Sequence, residues 1–547
     1  MKCLRYLSTC LLIILPFCAA IAQLPEGATQ SFGDRLIMGV LKDHPFELNP
    51  FRIRSPAEKE IVHMIFGSGL TKRSDKFGNP PELIDRYFTR SSRHNSRVWR
   101  MLLKRNINFQ NGDILRNVDV KFTFEVLKKY GGMYLNREVD LGNIKSIGGS
   151  GDLELTFELF RPDDQFGLKL AGIPIISRRY YQEVLTRGYE VFSRTRPMGM
   201  GPFRVEQQSE DQLILSYNPH YFSGRPFLDG VVIRFYADEQ ALINAFVNGE
   251  VDYLELPDRT TALRLSNLMG SRAVFFRIPR PEVKLYAVLF NVTQFPFSEP
   301  EVRRAISVAV NRADIVDRYM KEYGRPARTL LKDTSPYYDR YLFKEKYNPN
   351  AALRILRNAG WRLNPQTGLW EKNGRPLSFT LYFARNSFLE EGIARAIKID
   401  LGELNINVKP VPVAPDAKSA LLQRTEYQAM IHAYIYDPQY LLGAFRQYFY
   451  KVLGAGQVVP NYRNNYLHRL FTLVERGQAP RENVYHRFQQ FIYREKPALF
   501  LFFDEQIIIG IDRRFRGYRL MFRSNGHTFY RLSPIENWYV PRELQKY

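Results

Sequence analysis

Phe290-Asn291 and, five residues on, Pro296-Phe297-Ser298-Glu299-Pro300-Glu301-Val302-Arg303-Arg304-Ala305-Ile306-Ser307-Val308-Ala309-Val310-Asn311-Arg312 form the stretch from which the fold can be read. It predicts a strand end running into two capped helices. Ser298 offers a side-chain oxygen to the free N–H groups of a first turn, and Glu301 three residues later can reach back, the pattern of a capping box. Val302, Ala305, Ile306, Ala309 and Val310 recur at helical spacing and form a core face, with Arg303, Arg304 and Ser307 expected to point away from it. Asn311 and Asp314 repeat the capping logic for a second helix through Ile315, Val316, Tyr319 and Met320, stopped by Gly324 and Pro326. None of this is chemistry; it is scaffold.

Moving outward, Arg35-Leu36-Ile37-Met38-Gly39-Val40 reads as a strand followed by a loop marked by Pro45 and Pro50. Ile144 to Ile147 and Leu153 to Leu159 flank Gly148-Gly149-Ser150-Gly151-Asp152. That glycine run is a hairpin turn, not a phosphate cradle, because an alternating strand follows it and no helix does. Asn348-Pro349 opens a helix that Gly360 ends. Leu377 to Phe383 is a strand, Leu389, Ile393, Ile397, Leu401 and Leu404 form a helix, and Ile406-Asn407-Val408 starts another strand. A strand, a helix and a strand in succession imply parallel pairing with a right-handed crossover.

At 547 residues the chain is too long for one ordinary core, so two or three compact units are expected. Lys2 and Arg5 precede the apolar run Leu11-Leu12-Ile13-Ile14-Leu15-Pro16-Phe17, and Ala20-Ile21-Ala22 offers small residues for cleavage. This has the make-up of a secretory leader, residues 1–22. Leu15-Pro16-Phe17-Cys18 is the competing lipoprotein site, but bulky Phe17 stands where processing prefers a small residue. No later apolar run reaches the roughly 18 residues that spanning a bilayer needs, so a soluble exported protein is expected.

All three cysteines, Cys3, Cys10 and Cys18, lie in the leader, so a chain cut after Ala22 holds no disulfide and no thiolate site. Lys and Arg total 78 against 56 acidic residues, a net charge of +22; losing Lys2 and Arg5 leaves 76 against 56, or +20. That excess attracts anionic partners such as a membrane surface, a cell-wall polymer or an acidic ligand. The basic residues are scattered, however. The densest group, Arg86, Arg90, Arg93, Arg97, Arg100, Lys104 and Arg105, reads as a solvated face, and no nucleic-acid partner is expected.

The eight histidines form no H-x-x-x-H or H-x-H pair, and neither a G-x-S-x-G elbow nor a G-x-x-x-x-G-K-[ST] loop occurs. Glu390-Glu391 are adjacent helical residues that point apart. The expectation is a protein that is not an enzyme and carries no metal or cofactor.

Several motifs occur in order: Phe109-Gln110-Asn111-Gly112, Asp119-Val120-Lys121-Phe122-Thr123-Phe124, Gly199-Met200-Gly201-Pro202-Phe203, Gly249-Glu250-Val251-Asp252 and the opening Phe290 to Arg312 stretch. Together they resemble the bacterial extracellular solute-binding proteins of family 5, which include dipeptide, oligopeptide and nickel receptors of ABC importers. The resemblance runs from about Arg35 to about Tyr518. It implies an α/β fold of the two-lobed periplasmic-binding-protein type II with a hinge and an extra inserted domain. On that pattern lobe I comprises 23–58, 191–275 and 501–547, the inserted domain 59–190 and lobe II 276–500.

The same resemblance implies a periplasmic receptor that captures a peptide or peptide-like solute by hinge closure and passes it, as a monomer, to membrane permease subunits. Positions matching the family's cleft are Asp43, His44, Met200, Phe203, Tyr434, Tyr436, Asp437 and Arg463. Many peptide-binding members carry an aspartate for the peptide's α-ammonium in a D-x-x-D-P segment; here Tyr434-Ile435-Tyr436-Asp437-Pro438 puts Tyr434 in its place. A phenol offers no full negative charge, so either Asp437 takes the role or the solute is not an ordinary short peptide. Two other classes remain open at this point, a secreted hydrolase and a polyanion binder using the basic surface.

Overall fold

The structure, a computed structural model, describes residues 30–42, 46–67, 69–70, 83–88, 97–134, 137–139, 141–163, 166–170, 172–256, 259–342, 346–385, 387–436, 465–475, 480–524 and 527–547. The predicted leader with its three cysteines lies outside them. No helix among the described residues is long and apolar enough to cross a membrane.

In chain order the elements that matter below are β1 (Arg35–Leu41), α1 (Pro56–Phe66), β2 (Ile84–Phe88), β3 (Val98–Leu103), α2 (Asn117–Tyr130), β4 (Ile144–Gly148) and β5 (Glu154–Leu159). Then come β6 (Phe203–Gln208), β7 (Gln212–Tyr217), β8 (Gly230–Tyr236), α3 (Glu239–Val247), β9 (Tyr253–Leu256), α4 (Arg259–Met269), the long β10 (Ala273–Phe290), α5 (Pro300–Ala309) and α6 (Pro349–Asn358). The chain ends with β11 (Ser378–Ala384), α7 (Phe388–Gly402), β12 (Asn407–Val413), α8 (Pro415–Arg424), β13 (Ala429–Tyr436), α9 (Arg481–Glu495) and the long β14 (Ala498–Asp512).

One sheet runs β12-β11-β13-β10-β14-β9-β1-β8-β7-β6. Among the described residues it is two half-sheets joined by β10 and β14, which pair antiparallel along most of their length. Their register breaks between Pro279, opposite Gln506, and Lys284, opposite Asp504. On one side of the break β14 pairs with β9, Leu256 facing Ile508; on the other, β10 pairs with β13, Val283 facing Tyr436. A separate sheet, β2-β3-β5-β4, is built by the segment between α1 and β6.

Each half-sheet is covered on both faces, as parallel strands require. In the first, β1 sends Leu36 and Met38 into one core and Ile37 into the other, against α3 and α4. In the second, β13 sends Ala429 and Ile431 to the face covered by α5, α6 and α7, and Met430, Tyr434 and Tyr436 to the opposite one. β11 and β12 pair in parallel across α7, as the strand, helix and strand pattern predicts. The glycine-rich 148–152 segment joins the antiparallel β4 and β5 as a turn.

Asp252, from Gly249-Glu250-Val251-Asp252, is buried and accepts from the Ile37 N–H at 3.0 Å and Arg514 Nη2 at 2.8 Å. Arg514 also donates to Asp34, whose carboxylate accepts the Lys546 N–H at 3.0 Å. The two ends of the described chain are thereby pinned to β1.

The signature stretch corrects two expectations. α5 starts at Pro300, with Glu299 as a cap residue that makes no side-chain cap bond; Ser298 instead closes the preceding turn onto the Gln294 carbonyl at 2.8 Å. Proline has its φ set for a first helical position and no N–H to cap, which moves the cap from Ser298 to Glu299 and the start of the helix on by one residue. Glu301 pairs with Arg304 at 3.0 Å in place of the capping box. Arg303 and Ser307 do not face solvent: both are buried. The Arg303 guanidinium donates to the carbonyls of Phe297 at 2.6 Å, Glu495 at 2.9 Å and Lys496 at 3.2 Å, tying α5 to the end of α9. The apolar face behaves as predicted, and the Asn311 side chain caps the short helix Arg312–Ile315 by accepting from the Asp314 N–H at 3.2 Å.

Candidate interlobe site

The break in the two long strands locates the site. β8 and β9 run parallel to β1, and β12 and β13 run parallel to β11. β9 ends at Leu256 and β13 at Tyr436, each beside the break, so the carboxyl ends of both parallel sets face the same crossing. In open α/β sheets, ligands bind outside those ends.

The crossing is ionic. Asp504, only 2% exposed, accepts from Arg280 at 3.1 Å and lies 3.5 Å from the Lys284 ammonium. That ammonium also stands 5.1 Å from the centre of the Tyr286 ring. Burial works against the charged lysine, but Tyr286 and Asp504 outweigh it and its pKa is raised, so Lys284 stays cationic. Burial likewise pushes the Tyr286 phenol up. Two cations share one buried carboxylate where the lobes join.

On the second lobe, Ser387 caps α7 by accepting the Glu390 N–H at 3.3 Å. Glu390 accepts from the Ala384 N–H at 2.6 Å and from the Lys418 ammonium at 2.7 and 2.6 Å. Both side chains of this pair are close to fully buried. His432, half-buried on β13, has its pKa pushed down to about 3 by burial and then by the Lys418 charge, so it is a neutral imidazole. The Tyr434 ring meets it edge-on at 5.2 Å.

On the first lobe, β8 leads into α3, whose cap Asp238 accepts from the Ala241 N–H at 2.8 Å. The next residue, Glu239, reaches across: its carboxylate accepts from the Phe388 N–H at the start of α7, 3.2 Å away. Two helix N-termini, each carrying about half a positive charge, thus share one buried carboxylate. A second bridge is Tyr323, packed against cores of both lobes with the Arg277 guanidinium 5.5 Å over its ring.

Among the expected cleft residues, Met200 and Phe203 are buried in the first lobe's core. Their segment is pressed onto α1: the Gly201 N–H donates to the Ile65 carbonyl at 2.9 Å, and Gln110 ties that carbonyl to Phe203's at 2.8 Å each. A Cβ at Gly199 or Gly201 would lie 2.4 Å from the Ile65 oxygen or 2.3 Å from that of Met64. The glycines serve close backbone approach. Tyr434 and Tyr436 are both buried, on the β13 face that packs under the sheet, and the Tyr436 hydroxyl donates to the Leu330 carbonyl. None of these four presents side-chain surface at the crossing. Asp43, His44, Asp437 and Arg463 lie outside the described residues.

Arg280, Lys284, Asp504, Glu239 and the Glu390–Lys418 pair are absent from that expectation. One signal was available: Asp504-Glu505-Gln506 interrupts an otherwise apolar strand, Ala498–Asp512, where a charge is costly unless paired. Among the described residues no group of three His, Cys, Asp or Glu side chains could hold a metal ion. The arrangement can bind and enclose.

Known proteins share this architecture. Over 95% of its length the chain is 25% identical to the oligopeptide-binding protein AppA of Bacillus subtilis (strain 168), covering 94% of that protein. The structure of AppA in complex with a nonapeptide matches with a TM-score of 0.73 at 22% identity, over 94% of this chain and 100% of that one. NikZ from Campylobacter jejuni in complex with Ni(L-His) matches with a TM-score of 0.77 at 19% identity, over 92% and 99%. The fold is that of the type II periplasmic binding proteins, two lobes with a hinge and an inserted domain. Residues 81–452 match the model of the bacterial extracellular solute-binding proteins, family 5 Middle, and the chain belongs to that family.

Proposed function

We propose that this protein is a periplasmic receptor that captures a peptide or peptide-like solute between its lobes and delivers it to the permease of an ABC importer. The observation that carries the reading is the convergence of both sets of parallel strands on the β10/β14 crossing, where hinge motion would close low-dielectric walls over a ligand. The similarity to an oligopeptide-binding protein over nearly the whole chain supports the ligand class. In this reading residues 1–22 are removed on export, lobe I comprises 23–58, 191–275 and 501–547, 59–190 is inserted, and 276–500 is lobe II.

Asp43 and His44, which follow β1 in sequence, Asp437, which follows β13, and Arg463 are the side chains proposed to meet the solute. Tyr434 stands where many peptide-binding relatives carry an aspartate, and its ring is buried. The receptor therefore reads its solute without a carboxylate at that position. Native mass spectrometry of the protein purified gently from its own periplasm tests this: a discrete co-purified mass in the peptide range supports the reading. A sugar, an opine or a metal complex would redirect the ligand class within the same fold.

A further inference from the structure

We propose that the first lobe carries, at its end remote from the crossing, a docking site for the phosphate groups of anionic phospholipids. There the end of β7 and the starts of β1 and β6 border an open concavity of about 640 Å³ lined by Arg35, Arg196, Arg204 and Arg225 with Glu206 and Asp229. Register places it far from the hinge: Arg35 pairs with Gly230 and Tyr217 with Phe203, at the strand ends opposite those that meet the second lobe.

The arginines are held in place before anything binds. The Arg225 guanidinium lies over two rings, 4.7 Å from the centre of Phe32 and 4.4 Å from that of Tyr217, while one edge meets Asp229 at 2.6 Å. Arg196 donates to the Val205 carbonyl, and Arg204 donates its Nε, at 3.3 Å, to Ser216. Arg35 lies 3.6 Å from Glu206. Four cations face two carboxylates, leaving a net positive site, and Arg204 is exposed there. Guanidinium groups suit phosphate because their planar donors match its oxygens, and ordering them beforehand lowers the cost of binding.

Two observations favour a membrane surface over a small free anion. The concavity is open and wide, and Phe32, 53% exposed and stacked on Phe227 at 5.3 Å, stands at its rim; aromatic rings beside cations suit a lipid headgroup layer. The whole chain is also strongly cationic, which draws it to an anionic surface and leaves this lobe end to decide how it sits there. Docking there would leave the hinge free.

Co-sedimentation of the mature protein with vesicles of equal parts phosphatidylglycerol and phosphatidylcholine, against pure phosphatidylcholine, tests the site. Each arginine lost is expected to weaken binding to the anionic vesicles about fivefold, so Arg196→Ser with Arg204→Ser should fall well below wild type. Arg204→Ser alone, which gives up a single surface hydrogen bond, serves if the double variant misfolds. The control Arg97→Ser with Arg100→Ser removes the same charge from exposed positions on β3 and its approach. Equal loss in control and site variants overturns the proposal, since net charge alone would then explain binding. Saturable binding of inorganic pyrophosphate without retention on anionic vesicles also overturns it, in favour of a soluble phosphate ligand.

Discussion

Helix α5 and the β10/β14 crossing each bury an arginine, and they use it differently. Arg303 on α5 donates to three main-chain carbonyls, from Phe297, Glu495 and Lys496. Arg280 at the crossing donates to the Asp504 carboxylate, which Lys284 also approaches. These partners are fixed by the fold, with the Glu495 carboxylate a longer contact at 3.8 Å, so the first arrangement is a rivet within one lobe. A carboxylate shared by two cations concentrates charge where strands of two lobes change partners. One site holds the scaffold together; the other sets the electrostatics of the place where a ligand would be enclosed.

Substitution of the two sites should separate them. Arg303→Met is expected to cost about 3 kcal/mol or more, because several buried acceptors lose their donor at once, and to leave the distance between lobes unchanged. Denaturant unfolding together with small-angle scattering checks both parts; a changed scattering profile with unaltered stability would reverse the assignment. Asp504→Asn keeps an acceptor but removes the charge, and about 1–3 kcal/mol should be lost. Its diagnostic effect is on shape, an altered distribution between open and closed forms that the Arg303 variant does not show.

His432 extends the comparison to pH. Its folded pKa lies below the unfolded one, so the unfolded chain binds the extra proton as pH falls through about 6.5. Stability from this group is therefore fully present above that pH and declines below it, by at most about 1.4 kcal/mol per pH unit. A matched series on His432→Gln should lack that slope between about pH 6.5 and 4. Parallel stability curves for the two proteins would show that the imidazole is not held neutral.

The smallest effect on stability is expected from Glu239→Gln, under about 1 kcal/mol, since the amide oxygen can still accept from the Phe388 N–H while the charge facing two helix N-termini is lost. The lobes should separate more readily. Cysteines introduced by Glu250→Cys on the first lobe and Glu403→Cys on the second can carry spin labels in a protein produced from residue 23 onward, which holds no other cysteine. An unshifted distance distribution would remove Glu239 from the closure contact.

Much of the scaffold was legible. The apolar spacing of Val302, Ala305, Ile306, Ala309 and Val310 marks a core face correctly, because burial of one helical stripe is a local pattern. Leu377 to Val408 yields its parallel pair for the same reason. Where reading failed, a distant partner decided. Arg303 looks like a solvent-facing residue until the end of α9, nearly two hundred residues later, brings carbonyls to it. Ser298 looks like a cap until Pro300 takes the first helical position.

The site divides the same way. Resemblance pointed to motif positions such as Met200, Phe203, Tyr434 and Tyr436, whose side chains fill cores; motifs mark the backbone that shapes a cleft as readily as the groups that line it.

By itself the amino-acid sequence determined the family, the alternation of strands and helices, the basic surplus and the confinement of cysteine to the first 18 residues. All of these are carried by composition or by residues close together in the chain. Only the tertiary structure decided that Arg280 and Lys284 meet Asp504, that Glu239 reaches the start of α7, and that four arginines gather around one concavity. Those contacts join segments up to 224 residues apart. Which charges become neighbours depends on strand order and register, and no local spacing records that.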